Sequence, residues 1–358
     1  MPSLKEIKGR INSISSTLAI TSAMKMVAAA KLQKAQMAIQ NMLPYERRLH
    51  SMLIDLMGAM NISAAASEDG SVRGSGSAER GFDQSGDRLS LSNRHDLAGM
   101  DGAYSLMAQR EVRKVAIVAF ASNSSLCGAF NSNVIREATA VINEYRASGL
   151  GDADITVYSV GRKMAEAMKK LGFPSPADFT KMSDSPSYDA ASALAQELFD
   201  GFVSGRFDKV ELVYNHYKST SSQPTTRQTY LPLSLADAIA DLQAGKIADS
   251  ASESDTNRGA EPVGAPVVRQ GSPTTEDLIV EPSKEALIAT LLPKVIRLRI
   301  FTTLLDSAAA ERAARTVAMQ LATDNGNDLL QELTLEYNKG RQQKITSEIL
   351  DLVGGSMQ

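Results

Sequence analysis

The chain has 358 residues, 43% of them hydrophobic and 22% charged, which is the balance of a soluble globular protein with ample length for a core. Its 38 basic and 41 acidic residues leave a net charge of -3, against the strongly basic surface that nucleic-acid binding requires. The single cysteine, Cys127, excludes an intrachain disulfide, and three histidines (His50, His95, His216) offer little to a metal site or a catalytic triad.

No apolar run reaches bilayer-crossing length, and the opening MPSLKEIKGRINS has no secretory apolar stretch. A soluble chain without direct membrane insertion is therefore expected.

Residues 3–57 read as one long helix. Ser3 and Glu6 have capping-box spacing, and Leu4, Ile7, Ile11, Ile14 and Leu18 recur at three- and four-residue steps, the seam of a helix with a partner helix. Pro44 is the one internal breaker and is expected to kink the helix rather than end it. At ~1.5 Å per residue the element would be roughly 80 Å long. Residues 61–112 are rich in Ser, Gly and Ala and read as a flexible insertion.

From 113 to 235, strands and helices alternate. KVAIVAFA (114–121), DITVYSVG (154–161), KVELVYNHY (209–217) and RQTYLPL (227–233) read as strands. Helices are expected at about 131–147, at RKMAEAMKKLG (162–172) and at 187–202. Such alternation predicts an α/β domain with a largely parallel sheet. Residues 236–277 form a second, acidic insertion: from 236 to 281 there are nine acidic residues against three basic ones.

The last segment, 278–358, returns to helix, with Ser283 as the expected N-cap. Leu287, Leu291, Leu298, Val317, Leu321, Leu333, Ile345, Ile349 and Leu352 supply its apolar stripe. Asp324–Asn327 (DNGN) has the composition of a turn. Two long terminal helices with apolar seams are best buried against each other. The fold class is thus a Rossmann-like α/β domain inserted between terminal helices that form an antiparallel coiled coil.

The first strand leads into SNSSLCGAFN, where Gly128 is the lone glycine. Neither a dinucleotide fingerprint nor a P-loop is present, so no cofactor is expected. Cys127 paired with His216 would be a candidate nucleophile. The simpler reading is a small buried residue at a strand–helix junction and a surface histidine. Asp324 and Asp328 read as a polar helix face. Residues 1–60 carry eight basic and three acidic residues, a charge excess suited to acidic loops on a protein partner or to a solvated face.

The opening LKEIKGRINSISSTLAITSAMKMVAAAKLQKAQ and the closing SAAAERAARTVAMQLATDNGNDLLQELTLEYNKGRQQKITSEILDLVGGS resemble the gamma subunit of rotary F-type ATP synthases, and SLCGAFNSN resembles that family's strand–helix junction. The pattern Ile345-Thr346-x-Glu348-Ile349 followed by Gly354 is a specific mark of the resemblance. It implies a rotor shaft on the cytoplasmic face of the bacterial plasma membrane, coupling ion translocation to ATP synthesis. The implied partners are a ring of alpha and beta subunits, an epsilon subunit and a ring of c subunits. A shaft breaks no covalent bond, so no catalytic, cofactor or metal residues are implied.

The resemblance also implies partner contacts. Met24 and Lys25 match positions facing the moving lobe of the beta subunits, and Arg315 a basic position at the same level. Arg341 and Gln342 match a pair contacting a beta-subunit loop. Ile345, Ile349, Leu352 and Val353 resemble the part that runs in the ring's apolar sleeve. Ser22 stands where the family often has lysine. Ser122-Asn123-Ser124-Ser125-Leu126-Cys127-Gly128 departs from the family's Ser-Asp-Arg-Gly-Leu-Cys-Gly, which puts in question any salt bridge made there by the family Asp or Arg. The 236–277 insertion lies where chloroplast gamma subunits carry a redox segment, but it contains no cysteine. A static helical-hairpin scaffold and a free α/β enzyme are the alternative readings.

Overall fold

A computed structural model describes residues 3–68, 110–233, 281 and 284–356. Ser3 starts the first helix, α1 (Leu4–Glu68), its Oγ accepting from the Glu6 N–H at 3.2 Å. Glu6, the other half of the expected capping box, pairs with Arg10 at 2.9 Å instead. The helix passes through Pro44 and continues to Glu68 rather than stopping at 57. Residues 69–109 and 234–280, which hold most of both expected insertions, and the Ser283 cap lie outside the described residues.

The next elements are β1 (Val115–Phe120), α2 (Phe130–Ala147), β2 (Ile155–Val160), α3 (Arg162–Lys170), α4 (Thr180–Asp184), α5 (Tyr188–Val203), β3 (Lys209–Asn215) and β4 (Thr225–Leu231). The last is α6 (Lys284–Ser356). Ser187 caps α5 by accepting from the Ala190 N–H at 3.3 Å. The sheet order is β2-β1-β3-β4, with β1, β2 and β3 parallel and β4 antiparallel to β3. The largely parallel sheet expected from the alternation is therefore finished by an antiparallel edge. No crossover helix separates β3 from β4, so the chain turns straight back.

Every residue of β1 is buried, as a central strand covered on both faces requires. Val115, Ile117 and Ala119 pack with Val134, Ala138 and Val141 of α2 and with Met164 and Met168 of α3. Ala116, Val118 and Phe120 face the other way. They join Leu194, Leu198 and Phe202 of α5, Leu49 and Leu53 of α1, and Leu292, Ile296 and Ile300 of α6. The foot of the helix pair is thus one of the sheet's two covers. Gly161, at φ 98°, lets β2 enter α3 beside the end of β1, where a Cβ would lie 2.1 Å from the Ala121 carbonyl oxygen.

Above the foot, α1 and α6 run antiparallel in a shared heptad register. On α1 the inward positions are Leu4, Ile7, Ile11, Ile14, Leu18 and Thr21; on α6 they are Thr323, Gly326, Leu330, Leu333, Tyr337 and Gly340. Both sets are spaced three, four, three, four, three. Thr21 and Thr323 meet hydroxyl to hydroxyl at 3.2 Å. A Cβ on Gly326 would lie 3.1 Å from Leu18 Cγ, and one on Gly340 3.0 Å from Leu4 Cδ2. Each glycine is a socket for a leucine knob. That packing holds α6 helical through Asp324–Asn327, where local composition predicts a turn.

The expected stripe on α6 does not form one face. Leu298 is buried, whereas Val317, Leu321, Ile345, Ile349 and Leu352 are exposed. The helix changes partner along its length, packing on the sheet and α5 below and on α1 in the middle. Leu4, the first residue of α1, lies opposite Gly340, so residues 341–356 of α6 extend beyond α1 as a single helix of about 24 Å.

Candidate partner-binding surfaces

The sequence-predicted contact residues fall into two groups. Met24, Lys25 and Arg315 lie where the helix pair leaves the α/β domain. Arg341, Gln342, Ile345, Ile349 and Leu352 lie on the projecting end of α6, about 39 Å further along the helix axis when measured from Arg315 to Arg341.

At the lower level, Met24, Val27 and Lys31 of α1, Glu311, Arg312 and Arg315 of α6, and Ser124 and Asp184 of the domain line an open groove of about 370 Å³. Lys25 is not among its lining residues. Val27 and the neighbouring Met26 are 55% and 67% exposed, so the groove has an apolar lip. Arg312, Asp184 and Glu311 have no place in the sequence reading, and Lys31 enters it only as one of the eight basic residues of 1–60, because their convergence depends on three separate elements.

Arg315 is committed within the chain. Its guanidinium donates to the Ser125 carbonyl at 2.8 Å, to Ser124 Oγ at 2.8 Å and to Glu311, with Nε at 3.0 Å. It thereby fastens α6 to the turn between β1 and α2. That turn is also held from within: the Ser122 N–H donates to Asn131 Oδ1 at 3.0 Å, and Ser122 Oγ donates to the Ser124 carbonyl at 2.6 Å. Leu126 and Gly128 sit there at positive φ, 70° and 59°. The arginine of α6 is the charged group that holds this turn of Ser122, Asn123, Ser124 and Ser125, and its planar fork suits two acceptors at once.

Cys127 and His216 do not form a catalytic pair. The buried thiol lies 3.1 Å from Asn131 Nδ2 and packs with Phe130 and Ala310, while His216 Nδ1 lies 2.6 Å from Asp306. Among the described residues, no group of three or more His, Cys, Asp or Glu side chains is placed to hold a metal ion, and no helix is long and apolar enough to cross a membrane.

At the upper level, Arg341 and Gln342 are exposed, as are all residues from 341 to 350. Ile345, Ile349, Leu350, Leu352 and Val353 are 47%, 55%, 65%, 75% and 48% exposed. Lys344 and Glu348 make an exposed ion pair at 3.8 Å. A lone helix of this length is marginal in water, and that much exposed apolar surface makes the segment a candidate partner interface.

The ATP synthase family model matches residues 3–357. The chain belongs to the ATP synthase gamma-chain family. It is 47% identical over 357 residues to the ATP synthase gamma chain of Phocaeicola vulgatus, with 100% of both chains covered. It is 45% identical over 358 residues to that of Bacteroides thetaiotaomicron, again with 100% of both covered. A solved chain of the Euglena gracilis mitochondrial ATP synthase has the same fold, with a TM-score of 0.54 at 18% identity, covering 99% of this chain and 93% of that one.

Proposed function

We propose that this chain is the central shaft of an F-type ATP synthase and couples ion translocation to ATP synthesis by rotation. Its family and its form support the same reading. The helix pair stands in a ring of alpha and beta subunits, and the α/β foot rests against the epsilon subunit and the c ring. The chain is peripheral, on the cytoplasmic face of the bacterial plasma membrane, and makes or breaks no covalent bond itself.

The observation that carries this reading is the projecting end of α6. It bears the bulky apolar side chains Ile345, Ile349, Leu350 and Leu352, which are 47%, 55%, 65% and 75% exposed, on a helix that extends past the start of α1. An apolar sleeve covers them without directional bonds, so no one angle is strongly preferred and turning is unhindered. Lower down, the groove beside Met24 combines an apolar lip with Lys31, Arg312 and Asp184 and with the paired Glu311 and Arg315, so its cations exceed its acids by one, a balance that suits an acidic moving loop. Because Arg315 braces the turn, its contribution to partner contact is to hold that surface in place. Arg341 and Gln342 present exposed donors to a loop of the ring.

The test is a reversible tether. Met24→Cys is joined by a disulfide to a cysteine on the facing ring subunit in the assembled complex. ATP turnover is expected to stop on oxidation and return on reduction. A static scaffold would keep turning over ATP while tethered, and that result overturns the reading.

A further inference from the structure

The loop after β3 ties the α/β foot to both helices of the shaft at one level. Asp306 of α6 accepts from the Tyr217 backbone N–H at 2.9 Å through Oδ1 and faces His216 Nδ1 at 2.6 Å through Oδ2. Gln36 of α1 donates through Nε2 to the Tyr217 hydroxyl. Tyr217 packs against two buried clusters, one of Leu32 of α1 with Ala309 and Ala313 of α6, and one of Ala310 of α6 with Cys127 and Phe130 of the domain. The loop itself is braced by the His216 N–H, which donates to the Pro224 carbonyl at 2.9 Å.

We infer that His216, Tyr217, Asp306 and Gln36 form a torque-bearing clamp that positions the foot against the shaft, and that its ionic half is tuned by protonation of His216. This inference rests on the shaft reading.

The geometry explains why such a clamp is needed. A sheet packed on helices by apolar contact resists separation but resists sliding poorly, since apolar contact is not directional. A carboxylate gripping two successive residues of a loop fixes direction as well as distance. Asp306 is suited to the task because its side chain is only 16% exposed, so the pair is partly shielded from water. His216 is half exposed and can exchange a proton with solvent.

The Asp306 carboxylate raises the His216 pKa above its ordinary 6.5, against the opposing effects of burial and of Lys218. Asp306 and Lys218 are the charged groups acting on it. On α1, Leu32 of the cluster that Tyr217 packs against, Ala35 and Ile39 packed on the same cluster, and Gln36 carry no charge. The charge-assisted grip is therefore complete below pH 6.5 and is lost as pH rises through the raised value, leaving a neutral hydrogen bond.

The experiment uses the assembled complex in inverted membrane vesicles and measures ions pumped per ATP hydrolysed against an opposing gradient. Asp306→Asn keeps size and the acceptor for Tyr217 but removes the charge. His216→Lys keeps a cation at every pH. For Asp306→Asn, pumping per ATP should fall about threefold, a modest factor because His216 is half exposed, while hydrolysis with the gradient collapsed stays within about twofold.

The ratio of wild type to His216→Lys should start near one at about pH 6 and decline towards about pH 8.5. A parallel fall of hydrolysis and pumping in Asp306→Asn overturns the clamp, as does unchanged pumping per ATP or a pH-independent ratio. If Asp306→Asn does not assemble, the His216→Lys ratio decides alone. Failure of the shaft reading would appear instead as turnover that survives the Met24 tether in wild-type background.

Discussion

The Leu18–Gly326 contact allows a quantitative test of what holds the two long helices in register. Gly326→Ala has two opposing effects. Replacing an interior helix glycine by alanine favours the helix by about 1 kcal/mol. The new methyl, however, would lie 3.1 Å from Leu18 Cγ and 3.6 Å from both of its Cδ atoms. Carbon atoms prefer about 3.5–4.0 Å, and overpacking a fitted contact costs roughly 1–3 kcal/mol. The net expectation is a loss of about 1 kcal/mol. In a Leu18→Ala background the obstruction is gone, and the same change should gain about 1 kcal/mol. The coupling between the two sites is then about 2 kcal/mol. Urea unfolding of the whole chain, followed by far-ultraviolet circular dichroism, measures all four corners of the cycle. A Gly326→Ala effect that is favourable and equal in both backgrounds refutes the socket.

Glu211, 2% exposed, accepts from the Tyr145 hydroxyl at 2.6 Å and from Arg227 Nε at 2.7 Å, with Lys209 Nζ at 2.7 Å. Glu211→Ala should cost roughly 3 kcal/mol by removing the carboxylate that Lys209, Arg227 and Tyr145 share, which leaves Arg227 only its pair with Glu144, measured by denaturant unfolding. Burial pushes the Glu211 carboxyl up, but Arg227, Lys209 and Tyr145 together hold it below its ordinary 4.5. Its contribution is present above that value and is lost as pH falls through the depressed one, so Glu211→Gln should flatten acid unfolding below about pH 4.5. Arg315→Ala should cost about 2 kcal/mol through the bonds to Ser124, Ser125 and Glu311, with Arg315→Lys recovering only part because it lacks the fork. Ile349→Asp should change the unfolding midpoint of the free chain little, since the residue is 55% exposed, yet lengthen the pauses of single rotating complexes; unchanged dwell times would contradict the apolar-sleeve reading.

Much of the fold is legible in the sequence because its signals are local. Leu4, Ile7, Ile11, Ile14 and Leu18 announce a seam, and VAIVAF announces a strand buried on both faces. The matching seam on α6 is not legible. It uses Thr323, Gly326 and Gly340, which are not read as core, and its glycines have meaning only against leucines more than three hundred residues away. The exposed stripe through Val317 and Leu321 shows the converse, with apolar periodicity that faces outward. The antiparallel direction of β4 is settled by pairing, which composition does not encode. At the candidate contact surfaces, the apolar tip was visible as Ile345, Ile349 and Leu352. The groove was not, since Lys31, Asp184 and Arg312 come together only through folding. The role of Arg315 as a brace follows from the backbone of the 122–128 turn, whose strained Leu126 leaves no mark in a sequence.

The step from two strands to one at Gly340 has a mechanical consequence. A paired rod shares a twisting load between its strands through interlocked side chains, whereas a solitary helix yields, because each of its turns is held only by its own hydrogen bonds. Load applied near Leu352 would wind up the final turns before reaching the base, while load applied near Met24 passes directly into the stiff section. The upper end is therefore built to centre the spindle, and the working leverage belongs to the level where both strands and the sheet meet.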